Sequence, residues 1–231
     1  MSTRINKFLS EVGYCSRREA DRLVEKGVVK INDRIAVIGD QVTDQDTVFV
    51  HNKALKTQET FDYLVLNKPV GITSTTDPKI KGNIVDFMKY PKRIFHVGRL
   101  DKDSEGLIIM TNDGDIVNEI LRAENAHEKE YIVKVDRILS HDFAQKMASG
   151  VSILNTITKP CIVEKTGPKT FRIILTEGMN RQIRRMCEFF GYQVLSLKRI
   201  RIMHIPLDIP TGHYRHLTPK EKKELFEMIK R

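Results

Sequence analysis

His96-Val-Gly-Arg-Leu-Asp-Lys-Asp-Ser-Glu-Gly-Leu107 is the segment around which the chain is organised. It places a carboxylate, Asp101, in a loop with a glycine near each end, and these glycines can adopt positive φ or let the backbone approach a ligand closely. Apolar residues 94–97 and 107–110 flank the loop and predict strands that hold it. Chemistry is often carried by such loops, but Asp and Gly are also ordinary turn residues. From the residues alone, Asp101 is either a reactive acid or a solvated turn acid.

The composition favours a polyanionic partner. The chain has 231 residues, enough for one small and one larger domain, and 39 Lys and Arg against 30 Asp and Glu give a net charge of +9. No apolar run approaches the roughly 20 residues that span a bilayer, and residues 1–6 lack the apolar core of a signal peptide. We therefore expect a cytoplasmic monomer without membrane association. Its three widely spaced cysteines indicate neither disulfides nor a zinc site.

The amino-terminal segment predicts a small helical and hairpin unit. Residues 5–12 have the apolar spacing of a helix, and Ser16 with Glu19 forms a capping box for a second helix that ends near residue 27. Residues 28–31 and 35–38 flank a turn and predict a hairpin, to which residues 48–50 add a strand. The polar residues 51–61 lack periodicity and indicate a flexible linker.

The rest of the chain predicts an α+β domain with a mostly antiparallel mixed sheet, because strands recur with few helices between them. The predicted strands cover residues 63–67, 94–97, 107–110, 131–135, 160–163, 171–176 and 194–203. The predicted helices cover residues 84–88, 115–121, 142–148, 181–191 and 219–231. In the helix from residue 181, the apolar side chains share one face, which leaves Arg181, Arg184 and Arg185 pointing outward. Residues 180–201 hold six basic side chains and one acid, and form the best candidate for a phosphate-facing surface.

Three motifs carry a resemblance to a known family. Gly98-Arg-Leu-Asp101 is followed by Ser104-Glu-Gly-Leu107, with Asn67-Lys-Pro-Val-Gly71 upstream and residues 177–186, Glu-Gly-Met-Asn-Arg-Gln-Ile-Arg-Arg-Met, downstream. Together they resemble the RsuA/Rlu branch of RNA pseudouridine synthases. The amino-terminal segment resembles an S4 domain, a small RNA-binding module. The resemblance implies an S4-like α/β-hairpin domain over residues 1–50, a linker over 51–61 and a catalytic domain with flanking helices over 62–231.

The resemblance also implies the chemistry. Isomerising uridine to pseudouridine needs no cofactor and no metal, only a carboxylate at the ribose, which would be Asp101 acting as nucleophile or base. Arg184 would be its charge partner, Tyr131 would stack on the uracil and help move the C5 proton, and Arg99 would insert where the target nucleotide leaves the stack. The further RNA contacts would be Leu100, Lys102, Asn180, Arg181, Gln182, Ile183, Arg185, Lys198, Arg199, Ile200 and Arg201, with Arg4, Arg17 and Arg18 in the amino-terminal domain.

The substrate and some roles stay open at this stage. Residues 125–131 resemble members that act on large-subunit ribosomal RNA, which implies that substrate and, as a second one, transfer RNA; a small-subunit target is the alternative. From spacing alone, Tyr131 reads as a core aromatic and the basic helix faces read as solvated surface. Asp101, Asp103 and Glu105 could instead form a metal cluster or a glycosidase pair. A non-catalytic ribosome-binding module is a further alternative.

Overall fold

The computed structural model describes residues 2–55 and 60–230, which divide into two compact units. The first unit comprises residues 2–55 and 60–62 with residues 90–94 and 112–114. The second comprises residues 63–89, 95–111 and 115–230. No helix in the described ranges is long and apolar enough to cross a membrane.

The first unit combines two helices with short strands. Its elements are β1 (Ser2–Arg4), α1 (Ile5–Glu11), α2 (Arg17–Glu25), β2 (Val29–Ile31), β3 (Arg34–Ile35), β4 (Gln41–Thr43), β5 (Val48–Val50) and β6 (Lys53–Ala54). The Ser16 side chain accepts a hydrogen bond from the Glu19 backbone N–H at 3.2 Å, which caps α2 where the sequence predicts its start. Strands β3, β2, β5 and β6 form one sheet, and β1 pairs with β4. Ile5, Leu9, Ala20, Val24 and Val29 form part of the core.

Two predictions for this unit need correction. The second hairpin strand ends at Ile35 and does not continue to residue 38, because Asp40 accepts the Val37 backbone N–H at 2.8 Å and closes a turn. The predicted linker also begins with regular structure, since His51 and Asn52 take left-handed φ and turn the chain back into β6. Within that predicted linker, residues 56–59 lie outside the described residues.

The second unit is built on a mixed sheet. Its strands are β7 (Tyr63–Lys68), β8 (Phe95–Val97), β9 (Glu105–Thr111), β10 (Lys129–Val135), β11 (Ser152–Ile153), β12 (Thr156–Ile157), β13 (Ile162–Gly167), β14 (Thr170–Leu175), β15 (Val194–Ile202), β16 (Ile205–Pro206) and β17 (Tyr214–His216). The sheet order is β13-β14-β10-β15-β9-β7-β17, with β8 on β9 and β16 on β15. The β9–β15 pairing is parallel and the other neighbouring strands of this sheet pair antiparallel, so the predicted α+β class is confirmed.

Helices flank this sheet. They are α3 (Ile84–Met88), α4 (Asp115–Leu121), α5 (Phe143–Ala148), α6 (Gln182–Phe189) and α7 (Pro219–Met228), which the sequence predicts within a few residues. Val65, Leu107 and Ile109 of the central strands pack with Ile116 of α4 and Leu225 of α7 in one core. Burying such side chains stabilises the unit by roughly 1.5–3 kcal/mol each.

A close approach of two backbones joins β9 to β15. A Cβ on Gly106 would lie 2.2 Å from the Arg199 carbonyl oxygen, and Gly106 has φ +109°. Only glycine fits both conditions. The sequence predicts the positive φ, whereas the close approach is to the backbone of a neighbouring strand. The parallel pairing therefore sets the carboxyl end of the Asp101 loop against the middle of β15.

Candidate active site

The loop that carries Asp101 is held from three sides. Ser74 Oγ donates to the Leu100 carbonyl at 2.8 Å and accepts the Leu100 backbone N–H at 3.2 Å. The Gly71 N–H donates to the Lys102 carbonyl at 2.7 Å, and the Ser104 N–H donates to the Asp101 carbonyl at 3.1 Å. These bonds restrict the backbone on both sides of Asp101, so its carboxylate is presented from a fixed position.

Two guanidinium groups flank the Asp101 carboxylate. Arg181 Nη1 lies 3.7 Å and Arg184 Nε lies 3.9 Å from Asp101 Oδ2. Both distances are longer than a hydrogen bond, so the interaction is between charges. The predicted proximity of Arg184 to Asp101 is present in the structure, and Arg181 is a second, slightly nearer cation.

Arg184 does not point outward, although the periodicity of its helix predicts that it does. Its side chain is 9% exposed, and its Nη2 donates to the Asp103 carbonyl at 2.9 Å and to Ser104 Oγ at 3.1 Å, while Nη1 donates to the Val194 carbonyl at 3.3 Å. The helix pattern could not show this, because the acceptors come from a loop some eighty positions earlier. Arg184 Nε is buried and has no hydrogen-bond partner in the described chain, which leaves a donor beside Asp101.

Asp103 holds Arg181 in place. Arg181 donates to both carboxylate oxygens of Asp103 at 3.2 Å, and Arg184 Nη2 lies 3.4 Å from Asp103 Oδ2. Burial raises the pKa of Asp103, but the hydrogen bonds from Arg181 and the charge of Arg184 outweigh it and bring the pKa below its usual value. Asp103 therefore pairs with arginines, an arrangement that suits neither a metal cluster nor a glycosidase pair.

A cavity of about 400 Å³ opens beside Asp101. We call it the main cavity; it is lined by Asp101, Tyr131 and Arg184 together with Arg99, Leu100, Lys129, Leu175, Asn180, Arg181, Gln182, Ile183, Leu197, Arg199, Ile202 and others. Its volume suits a ligand of nucleotide size. A second cavity, of about 430 Å³, shares Arg99, Leu100, Asp101 and Arg181 with the main cavity and adds Lys102 and Asp103. The structure thus brings Asp101, Tyr131 and Arg184 to one cavity, as predicted.

Tyr131 lies at the start of β10 and is 8% exposed. Arg199 donates to its hydroxyl at 3.5 Å from Nη1 and to the Leu107 carbonyl at 2.7 Å from Nε. Arg199 is itself 3% exposed and lines the main cavity, so it does not lie on the outer surface, and its predicted RNA contact would have to be made inside the cavity. Its position also fixes the tyrosine hydroxyl at the cavity wall.

Two other predicted contacts on β15 do not fit their assigned roles. Ile200 is absent from the cavity lining, because strand alternation brings its neighbour Arg199 and Leu197 to the cavity. A register shift at Ile200 then brings Ile202 to the same side. Arg201 is held by Glu128 at 2.8 Å and Glu130 at 2.6 Å, so its charge is already neutralised. Lys198 is partly exposed beside them.

The remaining predicted contacts fall into two groups. Leu100, Gln182 and Ile183 are buried and line the main cavity; Gln182 also donates to Glu177 at 2.7 Å. The exposed or half-exposed side chains, which remain accessible to a phosphate, are Arg99, Lys102, Asn180, Arg181 and Arg185 in the second unit and Arg4, Arg17 and Arg18 in the first.

Several cavity residues were not predicted as site residues from the sequence. Lys129, Leu175, Leu197 and Ile202 line the main cavity. In the sequence the last three look like ordinary strand residues, and Lys129 lies just before the strand predicted over residues 131–135. Lys68, in the motif of residues 67–71, is fully buried and donates to the Pro69 and Ile72 carbonyls at 2.9 Å. Burial, partly offset by the charge of Asp101, lowers the pKa of Lys68 to about 8.

Comparisons with known proteins show the family to which the chain belongs. A family model described as RNA pseudouridylate synthase matches residues 62–189, and the S4 domain model matches residues 3–48. The chain is 55% identical over 231 residues to the dual-specificity RNA pseudouridine synthase RluF of Salmonella typhi, covering 99% of this chain and 80% of that protein. It is 34% identical to the ribosomal large subunit pseudouridine synthase B of Bacillus subtilis, covering 96% of this chain and 95% of that protein.

A solved structure shows the same architecture. A crystal structure of a pseudouridylate synthase superposes with a TM-score of 0.71 at 29% identity, covering 96% of this chain and 99% of that chain. The match extends over nearly the whole of both chains, so it includes the sheet and the elements that carry the cavity residues.

Proposed function

Because the chain belongs to the RNA pseudouridylate synthase family, and is an RNA pseudouridine synthase with an amino-terminal S4 domain, we propose that it isomerises a uridine of structured RNA through Asp101. The observation that carries this proposal is the place of Asp101, between two arginines at the mouth of a cavity of nucleotide size that Tyr131 also lines. The catalytic domain would span residues 62–231, and the RNA-binding domain residues 1–50, joined by residues 51–61.

The reaction breaks the bond between N1 and the ribose, turns the uracil and joins its C5 to the same ribose carbon. Asp101 would act as nucleophile or base at the ribose, and the guanidinium groups of Arg181 and Arg184 would oppose its negative charge. Tyr131 would stack on the uracil and help remove the C5 proton. N1 takes up a proton from solvent in exchange for the C5 proton, so the product is an isomer of the substrate and the reaction balances without a redox partner.

The target nucleotide has to leave its stack, because a glycosidic bond inside a helix is out of reach of a cavity side chain. Arg99 is exposed next to Asp101 and would fill the vacated space. Exposed cations on both units, Arg4, Arg17, Arg18, Lys102, Arg181, Arg185 and Lys198, would contact the RNA backbone, which positions the enzyme without specifying a sequence.

We infer that the substrate is large-subunit ribosomal RNA, with transfer RNA as a second substrate. The Bacillus subtilis relative is named for the large ribosomal subunit, and the Salmonella typhi relative is named for dual specificity. The protein would work as a monomer in the cytoplasm.

The test is tritium release from RNA that carries 5-tritiated uridine, since only loss of the C5 hydrogen frees the label. We expect release from large-subunit ribosomal RNA and from transfer RNA, and none from small-subunit ribosomal RNA. Binding of all three RNAs without release would refute the isomerisation. Release from small-subunit RNA alone would refute the inferred target and leave the chemistry intact.

A further inference from the structure

Two buried cations stand in the wall of the main cavity without a function in the mechanism above. Lys129 is 8% exposed and Arg199 is 3% exposed, and both line the cavity. They come from the neighbouring strands β10 and β15. Buried charges are normally paired, because removing an unpaired charge from water costs several kcal/mol. Neither cation makes an ion pair with a carboxylate in residues 2–55 and 60–230.

Both side chains keep donors that nothing in the described chain accepts. Lys129 Nζ donates to the His127 carbonyl at 3.0 Å, and an ammonium has three N–H groups. Arg199 uses Nε and Nη1 on the Leu107 carbonyl and the Tyr131 hydroxyl, whereas its Nη2 is buried and has no partner among the described residues. The cavity therefore offers several unused positive donors on the side of Tyr131.

The acids of the cavity are engaged elsewhere. Asp101 faces Arg181 and Arg184, and Glu177 Oε1 accepts from Gln182 at 2.7 Å. Burial and the nearby charge of Arg199 lower the pKa of Lys129 to about 8. The wall near Lys129 and Arg199 is thus positive and shielded from water, which is the environment in which a fixed charge acts most strongly on a ligand.

We propose that Lys129 and Arg199 bind the carbonyl oxygens of the uracil and stabilise the negative charge it carries after its bond to the ribose breaks. This inference rests on the proposed function. When the N1–C1′ bond breaks, the electron pair stays on N1 and spreads onto O2 and O4. C5 then forms the new bond to C1′, its proton leaves to solvent and N1 takes up a proton, so that the product is a neutral isomer of uridine. Donors placed in advance where charge develops are among the largest contributions to catalysis.

The test compares leaving groups of different basicity. Single-turnover rates are measured on RNA with uridine or 5-fluorouridine at the target, following the disappearance of the starting nucleoside by nuclease digestion and chromatography. This readout reports breakage of the N1–C1′ bond on both RNAs, because the fluorine at C5 leaves no proton to remove in the last step. With uridine, we expect Lys129→Met and Arg199→Met each to lose about 10²-fold in rate, with RNA affinity within about threefold of wild type. With 5-fluorouridine, the loss of rate should be less than about tenfold, because fluorine already withdraws charge from the ring and the uracil anion depends less on stabilisation by the two cations.

Lys134→Met is the matched control, since Lys134 lies on the same strand β10 but is exposed to solvent. Its rates should equal those of wild type on both RNAs. Lys129→Arg and Arg199→Lys keep the positive charge and should retain more activity than the methionine variants. If a methionine variant fails to fold by circular dichroism, the charge-retaining variants carry the test, and they should show the same smaller loss with 5-fluorouridine.

Equal losses on the two RNAs, or a loss confined to RNA affinity, would overturn the inference. An inactive wild type would refute the proposed function itself. Active wild type with unaffected Lys129 and Arg199 variants would refute only the role of these two cations.

Discussion

Replacing Arg184 by methionine removes a charge that lies 3.9 Å from Asp101 Oδ2 while keeping an unbranched side chain in the same place. At an effective dielectric constant of roughly 20, such a charge contributes about 4 kcal/mol. Asp101 is 32% exposed and Arg181 remains at 3.7 Å, so solvent screening and the charge of Arg181 together offset about half of this interaction energy. We expect a loss of about 2 kcal/mol, or roughly 30-fold in the chemical step.

The same substitution also removes the hydrogen bonds of Arg184 to Val194, Asp103 and Ser104. At about 1 kcal/mol for each bond, the free energy of unfolding falls by about 3 kcal/mol. Urea unfolding measures this loss and sets conditions in which the variant is folded. Single-turnover tritium release then gives the rate, and filter binding gives RNA affinity, which should stay within about threefold because Arg184 is buried. Arg137→Met, at an exposed position, is the control. Comparable losses of rate and affinity would refute the reasoning and make Arg184 a phosphate contact.

Three further substitutions test other parts of the account. Gly106→Ala should lower the free energy of unfolding in urea by about 3 kcal/mol, because the new Cβ would meet Arg199 backbone atoms at 2.2 and 2.7 Å. The control is Gly39→Ala, where φ is similar but no atom lies within 4 Å of the new Cβ, and the loss of stability should be clearly smaller. Tyr131→Phe should slow tritium release by roughly 10²-fold with RNA affinity unchanged, and full activity would exclude a proton role. Arg181→Met should weaken RNA binding and lower the slope of log affinity against log salt by roughly one; an unchanged slope would argue against a phosphate contact.

Much of the fold follows from local sequence. The capping residue Ser16 and the apolar spacing around it place α2, and residues 219–228 place the last helix within three residues of its predicted end. The positive φ of Gly98 and Gly106 follows from glycine at both ends of a short loop. These features depend on neighbours in the chain, so propensity and periodicity are sufficient to predict them.

The site required information that a single sequence does not contain. The burial of Arg184 depends on acceptors from the distant Asp101 loop, and the place of Ile202 in the cavity depends on the register shift that leaves Ile200 unpaired on β15. A bulge changes which side chains of a strand face the cavity, and strand periodicity cannot predict where it occurs. Lys129 shares a face of β10 with Tyr131, but it was missed because the predicted strand began only at residue 131.

The most direct measurement is the single-turnover rate of Asp101→Asn on RNA carrying 5-tritiated uridine. Asparagine keeps the size of the side chain and removes the charge that Arg181 and Arg184 face. The account predicts that RNA is bound as well as by the wild type while tritium release falls to the level of an enzyme-free control. Release at the wild-type rate would contradict the assignment of Asp101 as the reacting group.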